Sequence, residues 1–381
     1  MSRNKRLAYR WRTTPDGLPT TRIVGEIKRP DERRHGFARA FAGEFGPEIQ
    51  RLRSTFIAKY PNGAALNWSV NSVLVGKEDG PVSPKRVEVK DVARATQHIK
   101  DLALFYRADA VGVCELPSFA VYSHSADTGE PIELDHKYAI AVLVDQDFRT
   151  MRGSTGMDMI SGAQSFVSYS HSGFIAIQMA QYIRNLGYSA RAHFPRTYRV
   201  AIPPILLFAG LGEMCRTGNV LHPELGTRFK AAVVTTDFPL LPDKPIDFGL
   251  QSFCDKCKKC AEYCPSHSIT NGGKSVYNGY ETWVTDFASC TQFRIGNKAG
   301  SSCGRCIKVC PWNRANTWYH RLAIRACEKS GIAQRVLIAI DEMLKSNLKA
   351  ELEDRWWRVE DFASVPEGGF VVDEKSLIRA P

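Results

Sequence analysis

The alternation of apolar and polar positions predicts helices and strands in turn between residues 90 and 240. Apolar residues recur every three or four positions over 92–105, and Asp91 is placed to cap that helix. A second helical period covers 174–186 and ends at Gly187. Short unbroken apolar runs predict buried strands at 110–114, 138–144 and 231–236. This order of elements predicts an α/β layer fold.

The rest of the chain is less regular. Residues 1–65 mix basic residues with Pro and Gly, which predicts an irregular arm, whereas 202–214 and 332–349 have helical patterns. Residues 251–313 have little apolar periodicity and would need metal centres to form a core. We therefore predict three parts: an α/β domain with the arm, a metal-binding module and a C-terminal helical extension, at 1–250, 251–320 and 321–381.

Composition and charge narrow the class of protein. The chain has 381 residues, of which 44% are hydrophobic and 24% charged, as in a globular protein. Its net charge is +11, and eight of these charges fall within residues 1–60. The longest apolar run, 200–211, is shorter than the roughly 20 residues of a membrane span, so we expect no transmembrane segment. No apolar stretch follows the basic N-terminus, so we expect a cytoplasmic protein.

The cysteines carry the strongest signal. Eight of the eleven fall within 57 residues, in the two runs C-x2-C-x2-C-x3-C-P and C-x12-C-x2-C-x3-C-P. The compact run is the pattern of bacterial two-cluster ferredoxins, in which the fourth cysteine ligates the other cluster. We therefore predict two [4Fe–4S] clusters with crossed ligands. Cluster one takes Cys254, Cys257, Cys260 and Cys310, and cluster two takes Cys264, Cys290, Cys303 and Cys306.

Structural zinc is the alternative for paired Cys-x2-Cys motifs, but two runs of three close cysteines followed by x3-Cys-Pro suit a cubane better. We expect Cys114, Cys215 and Cys327 to be buried as small apolar residues. Cys215 also occupies the place of the third glycine of a dinucleotide motif that begins at Gly210, which weakens that interpretation.

Several further stretches resemble the reductive dehalogenases, the cobalamin-dependent iron–sulfur enzymes. The resemblance covers roughly residues 160–315. It includes the x12 gap, the ending Cys310-Pro-Trp-Asn313, the segments 187–191 (GYSAR) and 202–240, and Trp283 and Asp286 before Cys290. It implies a nitroreductase-like cobalamin domain carrying a ferredoxin-like module. Cobalamin would have no protein histidine on cobalt, and electrons would reach it singly through the clusters to reduce a carbon–halogen bond.

The resemblance also implies three catalytic residues. Tyr169 occupies the place of the family's proton-donating tyrosine, just before the helix that ends in Leu-Gly-Tyr. Arg196 is the best match to the assisting residue, although many members have Asn there, and Arg228 fits the family's Gly-x-Arg. A free tyrosine has a pKa near 10, so a nearby guanidinium would help it act as an acid. Arg196 could also bind a phenolate or carboxylate, which favours a halogenated phenol or aromatic acid.

Two other functions stay open at this point. An epoxyqueuosine reductase-like enzyme shares cobalamin, paired cubanes and the Cys-Pro-Trp-Asn ending, and the positive charge would suit its tRNA. That family has a longer gap in the second run and an Asp-Tyr-His acid, where this chain has Ser-Tyr169-Ser-His171. The third possibility is a non-catalytic electron-transfer subunit. For the dehalogenase we expect an external ferredoxin- or flavodoxin-like donor, a small organohalide and no nucleic acid.

Overall fold

The computed structural model describes residues 11–53, 73–154, 160–297, 302–315 and 317–344. The helices within these ranges are α1 (Gly36–Phe41), α2 (Gly46–Arg53), α3 (Val92–Phe105), α4 (Phe148–Met151), α5 (Ile160–Asn185), α6 (Ile202–Phe208), α7 (Leu250–Cys257), α8 (Lys259–Glu262), α9 (Phe287–Gly296), α10 (Arg305–Val309), α11 (Trp318–Lys329) and α12 (Gly331–Leu344). The strands are β1 (Ala110–Glu115), β2 (Tyr138–Asp145), β3 (Ala190–His193), β4 (Glu213–Met214), β5 (Val220–Leu221), β6 (Phe229–Thr236), β7 (Ser275–Tyr277) and β8 (Tyr280–Thr282).

Four strands form the central sheet in the order β1-β2-β6-β3, and every neighbouring pair is antiparallel. Their apolar residues are buried on both faces, which explains the unbroken apolar runs. One face forms an apolar core with α3 and α5, and the other forms a second core with α6. The three predicted strands and the α/β fold are confirmed, and Asp91 caps α3 by accepting a hydrogen bond from the Arg94 amide.

Helix α5 is much longer than its sequence pattern indicates. It begins at Ile160, fourteen residues before the predicted start, and ends near Gly187, which has the expected positive φ of 86°. Its first half is rich in Ser and Gly, which are weak helix formers, and these small residues are buried against the sheet. The expectation that Tyr169 precedes this helix is therefore wrong, because Tyr169 lies within it.

Helix α6 ends at Phe208, six residues earlier than predicted. Gly210 follows with φ 66°, and a Cβ at this position would overlap the Lys244 carbonyl oxygen. The close approach of these two backbone segments ends the helix and leads into β4. Helix α12 begins at Gly331, close to its predicted start, and the predicted residues 345–349 lie outside the described ranges.

The described part of the N-terminal arm crosses the body of the protein. Thr13 and Ile23 form isolated bridges with Ile246 and Tyr280, and Arg29 donates hydrogen bonds to three carbonyl groups of the body. The arm is more regular than expected, because it contains α1 and α2, which contact α9. Residues 1–10 and 54–65 of the predicted arm lie outside the described ranges.

A third apolar cluster joins the three predicted parts of the chain. It includes Leu221 and Phe248 from the first part, Phe253 and Trp312 from the second and Ile324 from the third. The boundaries at 250 and 320 therefore run through a shared core and stay predictions. Among the helices of the described ranges, none is both long and apolar enough to cross a bilayer.

Candidate functional site: a cysteine-rich module against the sheet domain

Short helices present the clustered cysteines. Helix α7 carries Cys254 and Cys257, and the left-handed Lys258 (φ 42°) turns the chain into α8, which carries Cys260. Helix α9 carries Cys290 and is capped by Asp286, which accepts hydrogen bonds from two backbone amides. Gly304, at φ 76°, starts α10 and separates Cys303 from Cys306. None of the eight clustered cysteines is in a disulfide, so all eight thiols are available as ligands.

The first set of thiols comprises Cys254, Cys257, Cys260 and Cys310. Burial raises the pKa of Cys254, and the neighbouring Cys310 and Cys260 raise it further. Burial likewise raises the pKa of Cys260, with Cys310 the next cause, and raises the pKa of Cys257 to about 11. Cys215 is a further neighbour of this set and is buried in the same apolar cluster. Three of these four residues, Cys254, Cys257 and Cys310, pack against one apolar cluster.

The second set comprises Cys264, Cys290, Cys303 and Cys306. Burial raises the pKa of Cys290, and the nearby Cys303 and Cys264 raise it further. Burial raises the pKa of Cys306, with Cys303 and Cys290 the next contributors. The pKa of Cys264 is lowered because hydrogen bonds involving Ser266 outweigh its burial. Thiols within each predicted set influence one another, and Cys260 of the first set also packs in the same apolar cluster as Cys306 of the second.

Raised thiol pKa values affect how iron is loaded. Metal ligands are thiolates, so binding a cluster must release protons from these buried groups. Within the described ranges, no three His, Cys, Asp or Glu side chains are close enough to share one metal ion. Eight cysteine thiols in two sets of four are the donor set that two [4Fe–4S] clusters require.

A buried ion-pair network attaches the C-terminal helix to the module. Lys259, which precedes Cys260, is 8% exposed and lies 2.5 Å from Asp341 Oδ2 and 2.9 Å from Glu342 Oε2. Arg314 pairs with the same Asp341. Helix α12 is therefore fixed to the cysteine helices by charges at buried positions, where breaking one partner leaves the other unpaired.

The turn after Cys310 supports a loop of the sheet domain. Asn313 Oδ1 accepts a hydrogen bond of 2.8 Å from the Thr227 amide, and Asn313 Nδ2 donates one of 2.9 Å to Thr227 Oγ1. Trp312 Nε1 donates a 3.0 Å hydrogen bond to the Pro223 carbonyl. A Cβ at Gly226 would overlap Asn313 Oδ1, so this close contact requires glycine.

Arg228 follows that loop and is 2% exposed. Its Nε lies 3.0 Å from Asp145 Oδ1, and its Nη1 donates a 2.8 Å hydrogen bond to the Arg314 carbonyl. The guanidinium also lies 5.6 Å from the centre of the Phe148 ring. Arg228 thus joins the end of β2 to the residue that follows the Cys310 turn.

Tyr169 has a different cationic neighbour, which the sequence reasoning missed. The ammonium of Lys230 on β6 lies 4.9 Å from the centre of the Tyr169 ring. The hydroxyl of Tyr198 donates a 3.2 Å hydrogen bond to the carbonyl of Ala231, the next residue on the strand. Burial raises the pKa of Tyr198, and the nearby Tyr169 raises it further. The one feature of the sequence that could have indicated this neighbour is that Lys230 directly precedes the apolar run predicted as a strand at 231–236.

Arg196 lies elsewhere. It occupies an exposed turn after β3 with φ 74°, where the Thr197 amide donates a 2.9 Å hydrogen bond to the Phe194 carbonyl. No hydrogen bond, ion pair or ring contact joins it to Tyr169 within the described chain. Of the three predicted catalytic residues, Arg228 is connected to the helix of Tyr169 through Asp145, whose carbonyl accepts from Ser168 at 3.3 Å. Arg196 has no such connection.

The loop of cluster two reaches the start of the helix that carries Tyr169. A Cβ at Gly304 would overlap Ser161 Oγ, so the chain between Cys303 and Cys306 lies directly against the first turn of α5. Lys308 of α10 also donates a hydrogen bond to the Arg152 carbonyl, just before α5. The module therefore contacts the first turn of the helix that carries Tyr169.

Comparison with known proteins also identifies the cysteine-rich module as a distinct part of the chain. Residues 253–314 match the family model of the 4Fe-4S dicluster domain. A tetrachloroethene reductive dehalogenase of Sulfurospirillum multivorans is 28% identical over 336 residues, covering 78% of this chain and 66% of that protein. A tetrachloroethene reductive dehalogenase of Desulfitobacterium hafniense is 35% identical over 198 residues, covering 49% and 35%. The solved structure of the catabolic reductive dehalogenase NpRdhA with 3-bromo-4-hydroxybenzoic acid superposes with a TM-score of 0.83 at 38% identity, covering 91% and 50%.

These findings first define a class: a redox protein in which a two-cluster iron–sulfur module is joined to a sheet domain. Within that class, the chain is similar to the reductive dehalogenases over 78% and 91% of its own length in two of these comparisons. It spans 66% or less of the length of each relative described above. A further structure, 37% identical to this chain, belongs to a reductive dehalogenase for which a mechanism of B12-dependent dehalogenation is suggested. The family's cofactors are thus cobalamin and two [4Fe–4S] clusters.

One buried atom tests whether the sheet domain fits cobalamin. Gln146 is fully buried, and its Nε2 donates a 3.2 Å hydrogen bond to Ser165 Oγ, one helical turn before Tyr169. Its Oε1 has no hydrogen-bond partner among the described residues. Buried polar atoms rarely stay unpaired. Because Gln146 has no exposed surface, its Oε1 has no open space beside it for a corrin, and the expectation of cobalamin rests on the similarity to the reductive dehalogenases.

Proposed function

We propose that this protein reductively removes halogen from an organohalide at cobalamin, using electrons delivered through its two clusters. The observation that carries the proposal is the pairing of Tyr169 with Lys230 on a helix whose first turn contacts the loop of cluster two. An acid beside a cation suits protonation of a carbon that has lost halide. Cobalamin, when bound, supplies the low-potential cobalt chemistry that breaks the carbon–halogen bond.

In this proposal the eight cysteines have one role each. Cys254, Cys257, Cys260 and Cys310 ligate cluster one, and Cys264, Cys290, Cys303 and Cys306 ligate cluster two. The grouping of interacting thiols supports this division. The chain between Cys303 and Cys306 lies against α5, so cluster two would be the better placed of the two to pass electrons to the sheet domain.

Tyr169 is the proposed proton donor. When its hydroxyl gives up a proton, the tyrosinate that remains is stabilised by the ammonium of Lys230, 4.9 Å from the ring centre. Arg228 acts through Asp145, whose carbonyl accepts the hydrogen bond of Ser168 beside Tyr169. Arg196 stays a prediction as an anion-binding residue, and its exposed position would limit it to the outer part of a substrate.

The substrate we propose is a halogenated phenol or aromatic acid. The related NpRdhA binds 3-bromo-4-hydroxybenzoic acid, which carries both a phenol and a carboxylate. Lys230 provides a cation beside the proposed proton donor, and an anionic ring would benefit from it. We further propose an external ferredoxin- or flavodoxin-like donor, because the net charge of +11 favours an acidic partner.

Halide release tests the proposal. The protein, reconstituted anaerobically with iron, sulfide and cobalamin, is expected to contain about eight iron atoms and a single cobalt per chain. With a low-potential reductant it should release bromide or chloride from a panel of bromo- and chlorophenols and hydroxybenzoates. Reduction of an epoxyqueuosine-containing tRNA without halide release would favour the second enzyme class. Full iron without cobalt would indicate an electron-transfer subunit, and either result would overturn the dehalogenase proposal.

A further inference from the structure

Arg216 is buried at 1% exposure, and its side chain contacts the backbone of the cysteine module. Its Nε and Nη2 donate hydrogen bonds of 3.0 and 2.9 Å to the carbonyl of Cys254. Its Nη1 donates to the carbonyls of Thr270 and Gly272 at 3.0 and 2.8 Å. The guanidinium thus donates hydrogen bonds to the backbone of a predicted cluster-one ligand and to the backbone of the loop that follows Cys264.

No carboxylate within the described ranges forms an ion pair with Arg216. Its other neighbour is Trp283, which is 1% exposed and whose ring centre lies 4.9 Å from the guanidinium. A second cation, Lys274, lies 4.7 Å from the same ring centre and donates a hydrogen bond to Gln251. Two cations therefore share a buried aromatic ring, and Arg216 is held by carbonyl and ring dipoles alone.

Burying an unpaired charge is costly, and proteins rarely do so without a countercharge. Carbonyl dipoles satisfy the N–H groups of Arg216 but do not neutralise its charge. A cubane held by four thiolates is anionic, and it gains one more negative charge when it accepts an electron. Cys215, the residue before Arg216, lies in the same apolar cluster as Cys254, Cys257 and Cys310. The missing countercharge is therefore at cluster one.

We infer that Arg216 is the buried countercharge of cluster one and raises its reduction potential. It is a positioning residue that acts through the Cys254 carbonyl and by its charge, without touching substrate. The cation stabilises the one-electron-reduced cluster more than the oxidised cluster, because the reduced form has the greater negative charge. This inference rests on the ligand assignment of the proposed function but not on the organohalide.

A potentiometric titration of the reconstituted holoprotein, followed by electron paramagnetic resonance, tests the inference. Arg216→Gln should lower the reduced-to-oxidised ratio of one cluster about tenfold at a fixed potential, a midpoint shift of about 59 mV for a one-electron couple. The other cluster should keep its midpoint. Arg216→Lys keeps the positive charge, so the midpoint potential of that cluster should stay nearer to the wild-type value. Arg184→Gln is the matched control, since Arg184 is 2% exposed and also bonded to a carbonyl, that of Ala190, in the sheet domain.

The midpoint potentials of the two Arg216 variants either support or overturn the inference. An Arg216→Gln protein that loads both clusters with unchanged midpoints overturns the inference. If the Arg216→Gln protein does not bind cluster one, the Arg216→Lys protein provides the test. A bound cluster with a midpoint potential near that of the wild type supports the inference that the charge of Arg216 tunes the cluster. If the Arg216→Lys protein does not bind the cluster either, the role of Arg216 is structural only and the inference is wrong. The titration needs no organohalide. A shifted midpoint without halide release would therefore contradict the proposed function and leave this inference standing.

Discussion

The ammonium of Lys230 lies 4.9 Å from the ring centre of Tyr169, across the packing of α5 on β6. The two residues are 61 positions apart in the chain and come from different kinds of element. A cation over an aromatic ring is attracted to the face of that ring. The proton-donating step that we propose rests on this pair.

Replacing Tyr169 by Phe removes the proposed acid but keeps the ring. We expect halide release to fall about 100-fold or more, because general acid catalysis contributes at least that much. Iron, sulfide and cobalt contents should not change. The control is Tyr182→Phe on the same helix, where the hydroxyl contacts His98 at 2.8 Å. Full activity of Tyr169→Phe, measured by ion chromatography of released halide, would show that another group donates the proton.

Replacing Lys230 by Gln keeps a side chain of similar size and removes the charge. We expect kcat to fall about tenfold or more, because the tyrosinate loses its stabilising cation. Lys230→Arg should retain most of the rate. Steady-state kinetics with a neutral and an anionic bromoarene separate two roles: a loss in kcat for both substrates indicates help to Tyr169, whereas a rise in KM for the anion alone indicates substrate binding.

Elements whose structure follows from a single physical rule could be predicted from the sequence. The strand at 138–144 was predictable because six consecutive buried residues leave no polar face. The cysteine runs were predictable because cubane ligation requires close spacing along the chain. These signals are local and can be read without knowing what packs nearby.

The start of α5 and the role of Lys230 could not be read in this way. Residues such as Ser168 and Ser172 disfavour helix on their own, and they are helical here because the sheet buries them. The position of Lys230 beside Tyr169 follows from the packing of β6 against α5, which the local sequence does not indicate. Arg228 could be singled out by its Gly-x-Arg motif. Its ion pair with Asp145, however, depends on the end of a strand that lies 83 positions earlier in the chain. These relationships are tertiary.

Gly226→Ala should destabilise the protein strongly. Gly226 has φ 61°, and an added Cβ would overlap Asn313 Oδ1. Backbone strain and overpacking together cost about 2–5 kcal/mol. Gly129→Ala separates the two causes, because Gly129 has φ 74° with no atom within 4 Å of the added Cβ. Thermal unfolding of both variants provides the measurement, and equal losses would show that the Asn313 contact is unimportant.

Glu213→Gln should change how stability depends on pH. Glu213 is 1% exposed, accepts hydrogen bonds from the amides of Phe248 and Leu250, and has its pKa raised to about 7 by burial. The folded protein therefore holds a proton that the unfolded chain releases above its pKa of about 4.3. Stability from this group is present below that value and is lost as pH rises to 7.

Gln at position 213 imitates the protonated carboxyl and keeps an oxygen for both amides. The variant should therefore gain stability relative to the wild type as pH rises from 4.5 to 7, by up to about 3 kcal/mol. Thermal unfolding midpoints of the two holoproteins across this range provide the measurement. A constant difference at all pH values would contradict the assignment of the buried proton to Glu213.

The contact between Asn313 and the loop at Gly226 couples two parts of the chain mechanically. Asn313 lies three residues after Cys310, and it supports Thr227 through hydrogen bonds of 2.8 and 2.9 Å. The carbonyl of Arg314, the next residue, accepts a hydrogen bond from Arg228. Any displacement of the turn after Cys310 is therefore transmitted directly to the loop that positions Arg228.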